Sequence, residues 1–276
     1  MTLRDKTIFI LGAAKFDSAV ASTSFTIARH LARKNKVYYV DYPFTWRDCM
    51  TLKHSPQYKV RVPHFASRAS GIMETEIPNL KVVIVPPVAS INFIPEGRFY
   101  RFLLKRIEGV IGKRIQRIIK SEGISDYVYI NSFNFHYPGV ASGLSPALQV
   151  YHCVDPLVVE YDRRHGIISE ELLVRNSDLV ICTSKKLCDE KTLINKNCFF
   201  VPNAADITHS SRALIPNLPV HPAVSSLIKP VIGYFGNIER RIDFSLLHAV
   251  ILANRDKNFV FAGPYLVESI PNWLFN

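Results

Sequence analysis

The sequence predicts an α/β fold built on parallel strands. Three observations carry that expectation. Strand, glycine turn, helix and second strand follow one another at the start of the chain, residues 7–40, and again near its end, residues 229–262. Between them, short apolar and β-branched runs recur, each stopped by a polar residue or proline. The composition, 48% hydrophobic and 21% charged over 276 residues, is that of a globular chain with enough apolar surface for one large or two modest domains.

In chain order, residues 7–11 form a continuous apolar strand that ends at Gly12. The loop of residues 12–18 leads into a helix over residues 22–33, with Ser24, Ala28 and Leu31 in one row and Phe25 and Ala32 beside them. Gly12 fits either a plain strand-to-helix turn or the close approach of a ligand to the backbone. Residues 37–40 make the second strand. Residues 44–79 are polar and rich in His, Pro and Arg, and are expected to be a long excursion with little regular structure. A third strand over residues 80–85 stops at Pro86 and Pro87.

Residues 98–120 then read as one helix, with Phe102, Leu103, Ile107, Val110, Ile111, Ile115, Ile118 and Ile119 in period. Its polar side carries Arg98, Arg101, Lys105, Arg106, Lys113, Arg114, Arg117 and Lys120 against a single Glu108. Such a face is either simply solvated or docks on an anionic membrane surface. Four more strands follow at residues 126–130, 148–152, 178–183 and 198–201, with a helix near residues 186–195. Polar residues stand at or just past these strand ends: Asn131, His152, Asp155, Ser184 and Asn203. Ligands of open α/β sheets bind at that edge, so the group suggests a cleft, although each residue alone fits an ordinary cap or turn.

Residues 207–228 change character, with Pro216, Pro219 and Pro222, and read as a linker. The second strand–helix–strand unit starts directly after it. Residues 229–234 are a strand, Gly233 and Gly236 permit a tight turn, and Asp243 caps a helix over residues 244–253. Residues 258–262 are the returning strand. That first turn aims backbone N–H groups at an anion, and Arg240 and Arg241 stand in it, suited to a diphosphate or to plain surface exposure.

Net charge is +11, of which residues 207–276 hold only six basic against four acidic side chains, so the excess lies upstream. The balance favours anionic partners. No nucleic-acid motif accompanies it, which argues against nucleic acid. Five cysteines, at 49, 153, 182, 188 and 198, are odd in number and lack metal-ligand spacing, as expected of reduced thiols in a cytoplasmic protein. No apolar stretch approaches the ~18 residues of a membrane span.

Four ordered motifs carry a family resemblance. Tyr151-His152-Cys153-Val154-Asp155 comes first, then the stretch from Ser177 to Ser184. Val201-Pro202-Asn203-Ala204-Ala205-Asp206 follows, and last Gly233-Tyr234-Phe235-Gly236-Asn237 with Arg241-Ile242-Asp243. Together they resemble GT-B glycosyltransferases, nearest to the bacterial enzymes that build surface polysaccharides. The likeness runs over most of residues 7–264. Ala204 departs from the family's usual glycine, and the family's paired glutamates, which hold the donor sugar and ribose, have no counterpart up to Asn276.

The resemblance implies a Rossmann-like acceptor-side domain over residues 1–206, the linker of 207–228, and the beginning of a Rossmann-like nucleotide-sugar domain over 229–276. It implies sugar transfer from a nucleotide-sugar to a glycan or lipid-linked acceptor, with no metal and no cofactor beyond the donor. Gly236, Asn237, Arg240 and Arg241 would then hold the donor diphosphate. His152 would hydrogen-bond the donor sugar, Asp155 is the nearby carboxylate considered as a base, and Gly12 and Ser22 would border the acceptor. Asn131, Ser184, Asn203 and Asp206 would line the cleft. On this reading residues 1–276 alone are expected not to turn over, and the protein is cytoplasmic or peripheral on the inner face of the cell membrane. Two other readings compete: a nucleotide-sugar epimerase on the same fold, and a non-catalytic basic module that binds membrane or nucleic acid.

Overall fold

The structure is a computed structural model that describes residues 3–18, 20–66, 68–205, 207–239, 241–265 and 267–275. It divides into two compact units, residues 1–204 and 205–276.

The first unit runs β1 (Thr7–Gly12), α1 (Thr23–Ala32), β2 (Lys36–Val40), α2 (Trp46–Thr51), α3 (Pro56–Phe65), β3 (Ile72–Glu74) and β4 (Leu80–Val83). It continues with α4 (Arg98–Ser121), β5 (Tyr127–Ser132), β6 (Leu148–Cys153), α5 (Glu160–Asn176), β7 (Leu179–Cys182), α6 (Lys185–Thr192) and β8 (Cys198–Phe200). The eight strands form one sheet in the order β3-β4-β2-β1-β5-β6-β7-β8, parallel throughout except for the edge strand β3. A strand at the centre of such a sheet is covered on both faces. Accordingly Ile8, Phe9, Ile10 and Leu11 are all fully buried. Alternate residues feed two cores. Phe9, Leu11, Tyr38 and Val83 pack with Ile107, Ile111, Ile115 and Ile118 of α4, while Ile8, Ile10, Val37 and Tyr39 pack with Ala28 and Ala32 of α1.

Residues 44–79 are more regular than the sequence suggests. Thr45 and Asp48 form a capping box at the start of α2, and Ser55 caps α3 with Pro56 in its first turn. What anchors this segment is charged rather than apolar. The Arg61 side chain, 1% exposed, donates Nε to Asp41 (2.8 Å) and both terminal nitrogens to Asp17 (2.6 and 2.8 Å). It lies between the Phe16 and Phe44 rings. The helix α5 was not anticipated at all. Its buried face includes His165, Ser169 and Glu170, so apolar periodicity is weak there.

The basic face of α4 is also smaller than the sequence implies. Arg114 is buried, and its guanidinium donates to the carbonyls of His64, Ala66 and Ala69. Arg101 pairs with Glu96, and Glu108 is buried and accepts the Gly139 N–H. No helix among the described residues is long and apolar enough to cross a membrane. All five cysteines are free thiols, with Cys153 and Cys182 opposite one another in adjacent strands.

The second unit holds α7 (Ile207–Ser210), α8 (Pro222–Ser225), β9 (Val231–Phe235), α9 (Phe244–Ala253) and β10 (Asn258–Ala262). The expected strand–helix–strand unit is present, with β9 and β10 parallel and paired from Val231↔Asn258 to Phe235↔Ala262. Asp243 caps α9 by accepting the Leu246 N–H (2.9 Å). None of the side chains of α9 is buried, although the helix is almost wholly apolar.

Candidate functional site

In the first unit, the order in which strands are added reverses at β1. It leads to β2 on one side and pairs with β5 on the other. The crevice beyond the C-terminal ends of β1 and β5 is therefore the switch point, where ligands of open α/β sheets bind. Around it stand the loops that follow β1, β2, β4, β5 and β6.

Gly12 closes β1, and the structure shows why a glycine is needed there. A Cβ on Gly12 would collide with the Tyr39 ring, so the close neighbour is a side chain of this chain. The Tyr39 hydroxyl donates to the Ala14 carbonyl (2.7 Å) and meets Ser24 Oγ (3.0 Å). Ser22 caps α1 by accepting the Phe25 N–H (3.2 Å). The β1–α1 loop is held from behind, since the Phe16 N–H donates to Asp41 (2.9 Å) and Asp41 is held by Arg61. An open cavity of about 360 Å³ lies against this loop, lined by Ala13, Ala14, Lys15, Ser18, Tyr42 and Gln57.

Asn131, next to last in β5, braces the following turn: its side chain accepts from the Asn134 N–H (2.8 Å) and donates to the Asn134 carbonyl (3.0 Å). Asn134, which the sequence did not single out, donates to the Gly12 carbonyl (2.8 Å) and ties β1 to the β5 loop. Its Oδ1 is buried with no partner. His136 follows, packed against Tyr42 and Phe135, and neither ring nitrogen is hydrogen-bonded among the described residues. Burial lowers its pKa, partly offset by Asp162.

His152 lies one strand away, near the C-terminal end of β6, 7% exposed, with Nδ1 3.0 Å from Ser132 Oγ. Burial lowers its pKa, so the ring is neutral at pH 7. Which nitrogen carries the proton follows from bookkeeping. Ser132 is buried and has no other hydrogen-bond partner among the described residues, so its hydroxyl hydrogen is satisfied only by donation to Nδ1. That leaves Nε2–H as a donor. NMR of the imidazole nitrogens should show the Nε2–H tautomer at pH 7, and Ser132→Ala should shift the tautomer balance. A dominant Nδ1–H form in the wild type would refute the assignment.

The other predicted positions divide. Ser184 caps α6 through the Leu187 N–H (3.2 Å). Asp155 and Asn203 are exposed and form no hydrogen bond or ion pair among the described residues. Asp206 and Arg240 lie outside the described residues.

In the second unit, Gly236 follows β9 with φ 153° and Gly263 follows β10 with φ 159°. A Cβ on Gly263 would collide with the Gly236 carbonyl, so these two turns touch through bare backbone. The Gly236 N–H donates to the Ala262 carbonyl (3.1 Å) and the Asn237 carbonyl accepts the Tyr234 hydroxyl (3.1 Å). Arg241 is exposed and pairs with Glu239 in the same turn. Its guanidinium is thus held beside the Gly236 loop. Among the described residues no group of His, Cys, Asp and Glu is arranged to hold a metal ion.

No protein-family model matches the chain, and no curated protein sequence does. Solved structures do resemble it. A UDP-glucosyltransferase from Polygonum tinctorium capable of glucosylating indoxyl matches with a TM-score of 0.50 at 10% identity, over 94% of this chain and 66% of that one. The glycotransferase of kitacinnamycin gives 0.43 at 13%, over 98% and 70%. A sucrose-phosphate synthase from Thermosynechococcus elongatus gives 0.42 at 12%, over 76% and 95%. The chain thus spans slightly less than two thirds of the length of the first of these. The fold is that of GT-B structures: a mostly parallel eight-stranded α/β sheet and a smaller parallel one.

Proposed function

We propose that the protein is a glycosyltransferase that moves a sugar from a nucleotide-sugar to a glycan or lipid-linked acceptor in the building of cell-surface polysaccharide. The observation that carries the reading is the set of four ordered motifs on a GT-B fold, with His152 near the C-terminal end of β6 beside the switch point. The acceptor is taken up in the first unit, against the β1–α1 loop and the cavity beside Lys15 and Tyr42. His152 is assigned to donor-sugar contact, with its Nε2–H as the donor to a sugar hydroxyl.

In the second unit the diphosphate lies at the turn after β9. There Asn237 and the Arg241 guanidinium, beside Gly236, stabilise the negative charge of the departing nucleoside diphosphate. Arg240 is assigned to the same group. Asp155, exposed beyond β6, is the carboxylate proposed to take the acceptor proton.

The test is acceptor-dependent release of nucleoside diphosphate from a panel of nucleotide-sugars, using the protein as its source produces it. Release of an epimerised sugar without any acceptor would replace this reading by the epimerase one. Because Arg241 is exposed and shared with Glu239, Arg241→Ala should raise the donor KM or lower kcat roughly tenfold, the loss of one charge-assisted contact. Unchanged kinetics would remove Arg241 from the site.

A further inference from the structure

The exposed side of α4 is not the uniformly basic face that its sequence suggests. Its exposed side chains fall on one stripe roughly 160° wide at the helical 100° per residue. The first two turns of that stripe carry Phe99 and Phe102, 64% and 53% exposed, and Phe93 in the preceding loop is 75% exposed. The remaining turns carry Lys105, Arg106, Lys113 and Lys120, all exposed, with Val110 among them and no acid, and Arg98 adds a further exposed cation at the phenylalanine end. Glu108, the only acid of the helix, is buried, and Glu96 before it is taken up by Arg101 and His165.

Three phenylalanines exposed to water within ten residues are a cost with no return inside this unit. They are also rigidly presented. Arg101 is held by Glu96 and Ser169 (2.8 Å), and Arg164 of α5 donates to the Phe93 carbonyl (3.4 Å), so this end of α4 is fixed to α5. The Arg106 guanidinium lies over the Phe102 ring (5.1 Å), where aromatic and basic parts of the stripe meet.

We propose that this stripe docks on an anionic lipid bilayer. Phe93, Phe99 and Phe102 enter the boundary between headgroups and acyl chains, and Lys105, Arg106, Lys113 and Lys120 lie along the headgroup phosphates. The charge pattern commits the occupant. A helix with a wide buried face, apolar rings at one end of its exposed stripe and cations along the rest lies in the interface and does not cross it. Placement agrees. Because α4 follows β4 in a parallel sheet and runs back along it, its N-terminus is at the strand C-terminal edge. There a small cavity of about 40 Å³, lined by Ser90, Leu104, Ile107, His136 and Tyr137 among others, separates the helix from the switch-point loops. Docking by the phenylalanine end therefore brings the candidate acceptor edge to the lipid. The proposal rests on the transfer reading only for that purpose, and its test does not involve turnover.

The experiment is flotation of the full chain with vesicles of phosphatidylcholine, with and without a third of phosphatidylglycerol. Binding is expected to the anionic vesicles alone and to fall with added salt. Phe99→Ser with Phe102→Ser should weaken it at least roughly tenfold, through lost apolar insertion. Lys105, Arg106, Lys113 and Lys120→Gln should weaken it roughly a hundredfold, through lost headgroup attraction. All six side chains are exposed, so the unfolding midpoint serves as a control. Insertion of the wild-type protein into an anionic monolayer, read as a rise in surface pressure, supplies a measurement without any variant. Equal binding to neutral vesicles, or full binding by the phenylalanine variant, would overturn the proposal. So would a lipid-free dimer that this variant abolishes, or tighter binding to an RNA homopolymer than to anionic vesicles.

Discussion

Arg61→Ala is expected to destabilise the unit of residues 1–204 by about 3–5 kcal/mol, the range for removing one partner from a buried ion network. Arg61 is the only cation paired with Asp41 among the described residues, and Asp41 is itself buried. Burial already pushes the Asp41 carboxyl up, and the guanidinium is what opposes that. Without it, Asp41 must remain charged and unpaired in the interior or take up a proton. The change also reaches the site, because Asp41 accepts the Phe16 N–H and Arg61 holds Asp17, adjacent residues in the middle of the loop that borders the cavity. Urea unfolding at pH 7 gives the free-energy difference. A loss under about 1 kcal/mol would mean that water replaces the guanidinium and that the network is peripheral.

Glu108 sets a pH dependence of the opposite sign to that of most carboxylates. Burial pushes its pKa from 4.5 up to about 7, only partly opposed by the Gly139 N–H. Between those values the folded chain holds a proton that the unfolded chain releases. Stability from this group is therefore greatest below about pH 4.5 and falls as pH rises through 7, by about 3 kcal/mol at most. Glu108→Gln keeps an acceptor for the Gly139 N–H and cannot ionise. It should match the wild type near pH 4.5 and exceed it at pH 8. Denaturation of both proteins across that range is the check, and a constant difference would show that Glu108 does not titrate in the window.

The parallel sheet was legible because its strands are buried on both faces and read as unbroken apolar runs. The segments that sequence reasoning missed are those whose anchors are polar. α3 hangs on Arg61, and α5 turns His165, Ser169 and Glu170 inward, so neither shows a strong apolar stripe. The same limit applies within the site. Asn131 and Ser184 were visible as strand-end polar residues, but what they bond is a local turn and a helix start. Ser132 gave no signal of its own. Its pairing with His152 exists because β5 and β6 lie in register with those two residues opposite, twenty positions apart in sequence. Gly12 fitted either a plain strand-to-helix turn or the close approach of a ligand, and the group that lies close to it is Tyr39 from β2. On α4 the count of basic residues was visible, but which of them turn inward was not. Arg114 goes to three carbonyls that belong to the end of α3 and the residues after it, a segment whose structure the sequence did not reveal.

The central position of β1 has a consequence for biosynthesis. Its first neighbour, β2, is made almost at once, but its other neighbour pairs Thr7 with Tyr127. At a synthesis rate of about 5–20 residues per second, the second edge of β1 waits roughly 6–24 s for its partner. During that interval a strand with four core residues has an open hydrogen-bonding edge, which is a template for misdirected pairing. The nascent chain is thus most exposed to aggregation before residue 132 leaves the ribosome. Slowing or stalling translation between β4 and β5 should cost more folded protein than a pause anywhere after β6.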